Sequence, residues 1–114
     1  MEHDMEFSNY QFRACKTAKY PQNPTLGVIY TSLGLASEAG EVAGKIKKMI
    51  RDDNMDLTFE RKQQIVDELG DVLWYCAMLA TELNISLTEV AIKNLQKLED
   101  RNNRNVIGGS GDKR

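Results

Sequence analysis

Val72-Leu-Trp-Tyr-Cys-Ala-Met-Leu-Ala80 is an unbroken run of apolar residues. It belongs to a longer pattern in which Ile65, Leu69, Val72, Leu73, Cys76, Leu79, Ala80 and Leu83 return at three- and four-residue steps, the spacing of one helix face. Over 72–80 the apolar positions cover nearly the whole circumference, as in a helix buried on several sides by a bundle core or a subunit interface. Thr58 opens this helix and Asn84 is a plausible stop. Downstream, Ser86-Leu-Thr-Glu89 reads as a capping box that starts another helix, with Val90, Leu95 and Leu98 on its apolar side.

Upstream, 52–58 is a polar loop. Before it Ile29, Leu33, Ala36, Val42, Ile46, Met49 and Ile50 mark a long helix, opened by an Asn23-Pro24 cap and ending near Arg51-Asp-Asp-Asn54. Both prolines fall in Tyr20-Pro-Gln-Asn-Pro24, which separates this helix from a short one over about 6–19, marked by Phe7, Tyr10, Ala14 and Ala18. No strand-like alternation occurs with hairpin chemistry around it. The expectation is an all-α, four-helix bundle-like protomer over residues 1–105. From Val106 the composition shifts to a flexible Gly-rich tail, Val-Ile-Gly-Gly-Ser-Gly-Asp-Lys-Arg114.

The 114 residues suit one domain, and 15 basic against 17 acidic residues leave a net charge of −2, without the basic footprint of a nucleic-acid binder. No run of about 18 apolar residues exists to span a membrane. The polar start Met1-Glu-His-Asp-Met-Glu6 is unlike a secretory signal. Cys15 and Cys76 lack metal-ligand spacing and read as buried free thiols in a reducing cytoplasm. The one histidine, His3, lies at the terminus, so histidine-based catalysis is nearly excluded.

Two pairs of acids stand out. Glu38-Ala-Gly-Glu41 lies in the second helix and Glu68-Leu-Gly-Asp71 in the third, each pair one turn apart on one face. The 26 residues between Glu41 and Glu68 suffice to end one helix, turn and run back antiparallel, which would bring all four carboxylates together. Acids so spaced often form only a solvated face. Here they sit in the least polar parts of their helices, and like charges one turn apart are mildly destabilising. Gly34, Gly40, Gly44 and Gly70 recur beside them; at about 1 kcal/mol per helical glycine these cost roughly 4 kcal/mol, implying close helix approach or a bulky ligand.

Converging carboxylates repel unless cations compensate them, and an oxygen-only ligand set favours Mg²⁺ or Mn²⁺, which in turn recruits phosphates. A di-iron bundle would want Glu-x-x-His pairs, for which no histidine is available. Lys45 stands one turn from Glu41. Lys97, Arg101 and Arg104 form a basic stripe on the fourth helix that either reaches the site or covers a solvated face. Tyr75, four residues after Asp71, could donate to a phosphate or close a core gap, and Trp74 faces elsewhere.

With its two acid pairs flanked by Gly34-Leu-Ala-Ser-Glu-Ala-Gly-Glu-Val-Ala-Gly-Lys45 and Asp67-Glu-Leu-Gly-Asp-Val-Leu-Trp-Tyr75, the sequence resembles the MazG-like all-α nucleoside triphosphate pyrophosphohydrolases over roughly 8–114. The ending, from Lys97 to Arg114, is similar to that of small stand-alone bacterial and phage members. The resemblance implies hydrolysis of a nucleoside triphosphate, deoxynucleotides foremost, to the monophosphate and pyrophosphate. It implies two or three Mg²⁺ or Mn²⁺ ions held by Glu38, Glu41, Glu68 and Asp71, with Glu38 or Glu41 helping to orient or deprotonate the water. Lys45, Tyr75, Lys97, Arg101, Arg104, Lys113 and Arg114 are the candidate triphosphate contacts, and Gly108-Gly-Ser-Gly111 a candidate closing flap. It further implies a homo-oligomer, a dimer or a tetramer built as a dimer of dimers with shared pockets, in a bacterial or phage-infected cytoplasm. Asn103-Arg-Asn105 departs from the pattern, which has glycine after the arginine. The competing expectation is a non-catalytic oligomeric module that senses nucleotides or metal ions; it has no need of four acids together with Lys97 and Arg101.

Overall fold

Caps and turns set the chain into four helices. In the computed structural model, which describes residues 4–21 and 23–114, these are α1 (Phe7–Cys15), α2 (Pro24–Asp52), α3 (Phe59–Glu82) and α4 (Leu87–Asn103). There is no strand among the described residues, and the fold is all-α and bundle-like. His3 lies outside the described residues.

The three expected N-caps are formed, the Ser86 capping box by its serine half, with the Glu89 carboxylate on Lys93 Nζ at 3.7 Å. Asn23 Oδ1 accepts from the backbone N–H groups of Thr25 and Leu26, both at 3.2 Å, ahead of Pro24. Thr58 Oγ1 accepts from Arg61 N at 3.1 Å, and Ser86 Oγ from Glu89 N at 3.0 Å. Each satisfies a donor that the first helical turn leaves without an intrahelical partner. α1 is shorter than the 6–19 expected. Thr17 N and Oγ1 both donate to Ala14 O, and Ala18 N to Cys15 O, so a tight turn replaces the last helical turn.

Both ends of the α3–α4 unit carry the same stop. Asn84 (φ 57°) follows α3, with Ile85 N donating to Ala80 O and Asn84 N to Thr81 O. Asn105 (φ 60°) follows α4, with Val106 N donating to Arg101 O and Asn105 N to Asn102 O. This is the paired 6→1 and 5→2 closure that normally uses glycine, for which asparagine is the usual substitute. Asn105 therefore performs the turn at the place where the sequence departs from the expected glycine.

α2 and α3 form a long antiparallel hairpin, closed at its turn by an Arg61–Asp53 pair at 2.8 Å. α1 and the start of α4 pack against the far end of α3, and α4 makes no contact with α2. Gln11 ties this junction: its Nε2 reaches Thr81 Oγ1 (3.0 Å) and Ile85 O (3.2 Å), and its Oε1 accepts from Leu87 N (2.8 Å). The core is small and lies here, with Ala14, Tyr20, Ala77, Met78 and Leu87 at its centre. Within the apolar run of α3, Ala77, Met78 and Ala80 are buried, whereas Leu73, and Leu69 one turn before it, remain exposed, as do Ile92, Leu95 and Leu98 of α4.

Candidate metal centre

Gly34 and Tyr75 register the two long helices. A Cβ on Gly34 would fall 2.1 Å from the Tyr75 ring, so the missing side chain is the space that ring occupies. Four residues on from Gly34 in α2 is Glu38, and four residues back from Tyr75 in α3 is Asp71. Because the helices are antiparallel, both steps lead the same way, one turn along the seam. Glu38, Glu68 and Asp71 accordingly converge: one carboxylate oxygen of each lies within 4.8 Å of the other two. Glu38 and Glu68 are half-buried and Asp71 is exposed. Glu41, also exposed, is not one of this close group.

The cluster is electrostatically unfavourable by itself. Burial, then the charges of Asp71, Glu68 and Glu41, and a hydrogen bond with Glu68, all push the Glu38 carboxyl above its ordinary value. The counter-charge at hand is Lys45, whose Nζ is 3.8 Å from Glu68 Oε1 with both side chains about one-fifth exposed. Three hard oxygen donors in reach of one point, with an unrelieved excess of negative charge, fit a divalent cation such as Mg²⁺ or Mn²⁺.

Tyr75 closes the seam rather than standing clear in it. Its ring lies 4.9 Å edge-to-face from Trp74 and 6.4 Å from Tyr30. Burial, a hydrogen bond with Tyr30 and the charges of Tyr30, Glu38 and Asp71 raise its phenol above the ordinary value, leaving it a proton donor at neutral pH. Tyr30 also stacks on Tyr20 at 5.0 Å and 11°. Tyr30 belongs to no motif that singles it out in the sequence. Its position eight residues before Glu38, two turns along one face, is the signal that would have found it.

The basic stripe lies elsewhere in the chain, on the helix that does not touch α2. Lys97 Nζ pairs with Asp112 Oδ1 at 2.8 Å. Arg101, only 5% exposed, donates through Nη2 to Asp112 Oδ1 (3.2 Å) and to the Asp112 carbonyl. Arg104 pairs with Asp100 and donates to Arg114 O at 2.8 Å. The Arg114 guanidinium turns inward onto the carbonyls of Val106, Ile107, Gly108 and Gly111, so residues 106–114 fold around it. Lys113 is exposed.

Of the glycines beside the acids, Gly34 is explained by Tyr75. A Cβ on Gly40, Gly44 or Gly70 would meet nothing within 4 Å. Gly27, unremarked in the sequence, admits Glu82, whose carboxylate accepts from Tyr20 Oη at 2.8 Å. Cys15 and Cys76 are unpaired and half-buried, and burial pushes the Cys76 thiol up.

A family model, the MazG nucleotide pyrophosphohydrolase domain, matches residues 29–106, which include all four acids and the basic stripe. The Gene 37 protein of Mycobacterium phage L5 is 44% identical in an alignment that covers 96% of this chain and 100% of that relative. No solved structure matches. No helix among the described residues is long and apolar enough to cross a membrane.

Proposed function

Since the chain belongs to the MazG nucleotide pyrophosphohydrolase family and is thereby a hydrolase acting on nucleoside triphosphates, we propose that it converts deoxynucleoside triphosphates to monophosphate and pyrophosphate with Mg²⁺ or Mn²⁺. The observation that carries the metal requirement is the convergence of Glu38, Glu68 and Asp71 within 4.8 Å, together with a Glu38 carboxyl raised by its neighbours' charge. Glu38, Glu41, Glu68 and Asp71 would hold two or three ions, with Glu41 reaching in from the rim. A divalent cation held there would supply counter-charge for the triphosphate and would make an attacking water more acidic. Glu38 or Glu41 orients that water and accepts its proton. Lys45 balances Glu68, and Tyr75, kept neutral and hydrogen-bonded to Tyr30, lies near enough to feel the charges of Glu38 and Asp71.

The triphosphate also needs cations, and the candidates are Lys97, Arg101, Arg104, Lys113 and Arg114. The absence of contact between α4 and α2 in one chain supports a second copy as the source of this stripe for a given acid cluster. A homo-oligomer, as a tetramer built from dimers, would also cover the exposed Leu69, Leu73, Leu95 and Leu98. The unpaired cysteines suit a reducing cytoplasm, bacterial or of a phage-infected host.

A panel of ribo- and deoxynucleoside triphosphates, incubated with Mg²⁺ and resolved by product, tests the proposal. Monophosphate and pyrophosphate in equal amounts, abolished by EDTA, are expected. Orthophosphate as the product, full activity in excess EDTA, or metal-dependent binding without turnover would overturn it.

A further inference from the structure

Asp112 is 79% exposed at its side chain, yet it holds two cations of α4 at once: Lys97 at 2.8 Å and the buried Arg101 at 3.2 Å. The acceptors that Arg101 Nη2 finds, carboxylate and carbonyl, both belong to this one residue. Lys97 first and then Arg101 hold the Asp112 carboxyl below its ordinary value, so it is an anion throughout the neutral range. Around it the segment is a preformed unit. Arg114 gathers four carbonyls of residues 106–111, Arg104 fastens Arg114 O, and the unit joins α4 through Asn105 in the left-handed conformation. Two cations one helical turn apart, closed by an exposed carboxylate on a short strap, form an oxyanion cradle already filled by the chain itself.

We propose that Asp112 is an internal stand-in for a phosphate-class anion, a latch that occupies the Lys97–Arg101 cradle and is displaced when a phosphate or pyrophosphate group binds there. The assignment of the anion as phosphate-class rests on the proposed function; the latch itself rests on the contacts above. Displacement exchanges one carboxylate for a more highly charged anion on the same two cations and frees residues 106–114 to swing about Asn105. The unliganded protein thereby keeps a buried guanidinium paired while holding its anion affinity in check.

The test uses inorganic pyrophosphate in EDTA, which leaves the acid cluster without metal and turnover out of the readout. Calorimetry should show Asp112→Asn binding pyrophosphate about three- to tenfold more tightly than the parent, as expected for removing a competitor held by one exposed ion pair, with Lys97, and one to the buried Arg101. Asp112→Glu, which keeps the carboxylate, should stay near the parent. In the parent, saturating pyrophosphate should move the backbone NMR resonances of Gly108–Gly111 toward their random-coil positions. Equal or weaker binding by Asp112→Asn, no pyrophosphate binding by either protein, or binding without that movement would each overturn the latch. A positive result with no hydrolysis of any nucleotide would leave the latch standing and remove the enzymatic proposal.

Discussion

The Tyr75 ring fills the space above Gly34 so closely that a Cβ there would stand 2.1 Å from it, and Trp74 and Tyr30 hem the ring in on other sides. Gly34→Ala must push the ring or separate the helices. The alanine gains about 1 kcal/mol of helix propensity, but overpacking of this kind typically costs about 1–3 kcal/mol. A net loss of stability in urea titrations, with a larger loss of turnover because Glu38 and Asp71 move apart, is expected. A variant more stable than the parent and fully active would show that Tyr75 swings aside freely.

Glu38→Gln tests the charge balance of the acid cluster. A native carboxyl raised above its unfolded value binds more protons than the unfolded chain. Stability of the metal-free parent therefore falls as pH rises from about 4.3 through the raised native value. The glutamine variant lacks this component. It should melt at or above the parent temperature in EDTA at pH 7, and the difference should vanish near pH 4. A lower melting temperature at pH 7 would mean that Glu38 is a net stabilising partner.

Metal should stabilise the parent and not that variant. For an ion that binds only the folded state, a hundredfold excess over Kd is worth about 2.7 kcal/mol. Thermal melts with Mg²⁺ are expected to rise in the parent and to rise little in Glu38→Gln. Equal shifts in both would place the ions elsewhere.

Glu41 stands outside the tight group, so Glu41→Gln separates chemistry from affinity. If it helps with the water, kcat should fall at least about a hundredfold while KM changes little. A pure rise in KM would restrict Glu41 to holding substrate or metal.

Leu69 tests the assembly. It is more than half exposed on a face of α3 lined also by Val66 and Leu73. Light scattering of the parent should give a multiple of the 12.9 kDa protomer mass, and Leu69→Asp should lower that mass together with activity. A monomeric, fully active parent would require the basic stripe to act some other way.

The helix limits were legible because caps are local: Asn23, Thr58, Ser86 and Asn84 announce themselves by residue type and neighbours. The end of α1 was not, because Thr17 can bond back to Ala14 only once the backbone has tightened. The acid cluster was readable in outline from the i, i+3 spacing. Such residues still differ by about 60° around the axis, and whether Glu41 falls inside the seam depends on a helix rotation fixed elsewhere, by Gly34 and Tyr75. The fate of Lys97, Arg101 and Arg104 was illegible for a different reason. Spacing along α4 says which residues share a face, but not that α4 leaves the hairpin or that Asp112 folds back onto it.

Gln11 has a consequence for how this chain is handled in the laboratory. The family match begins at residue 29, yet the amide that joins the end of α3 to the first turn of α4 comes from residue 11, and Ala14 and Tyr20 lie in the core. The recognisable segment is thus smaller than the segment that must be synthesised for it to fold. Trimmed to residues 29–106, the chain would uncover Met78 and Leu87, leave Thr81 Oγ1 and Leu87 N without their amide partner, and invite aggregation.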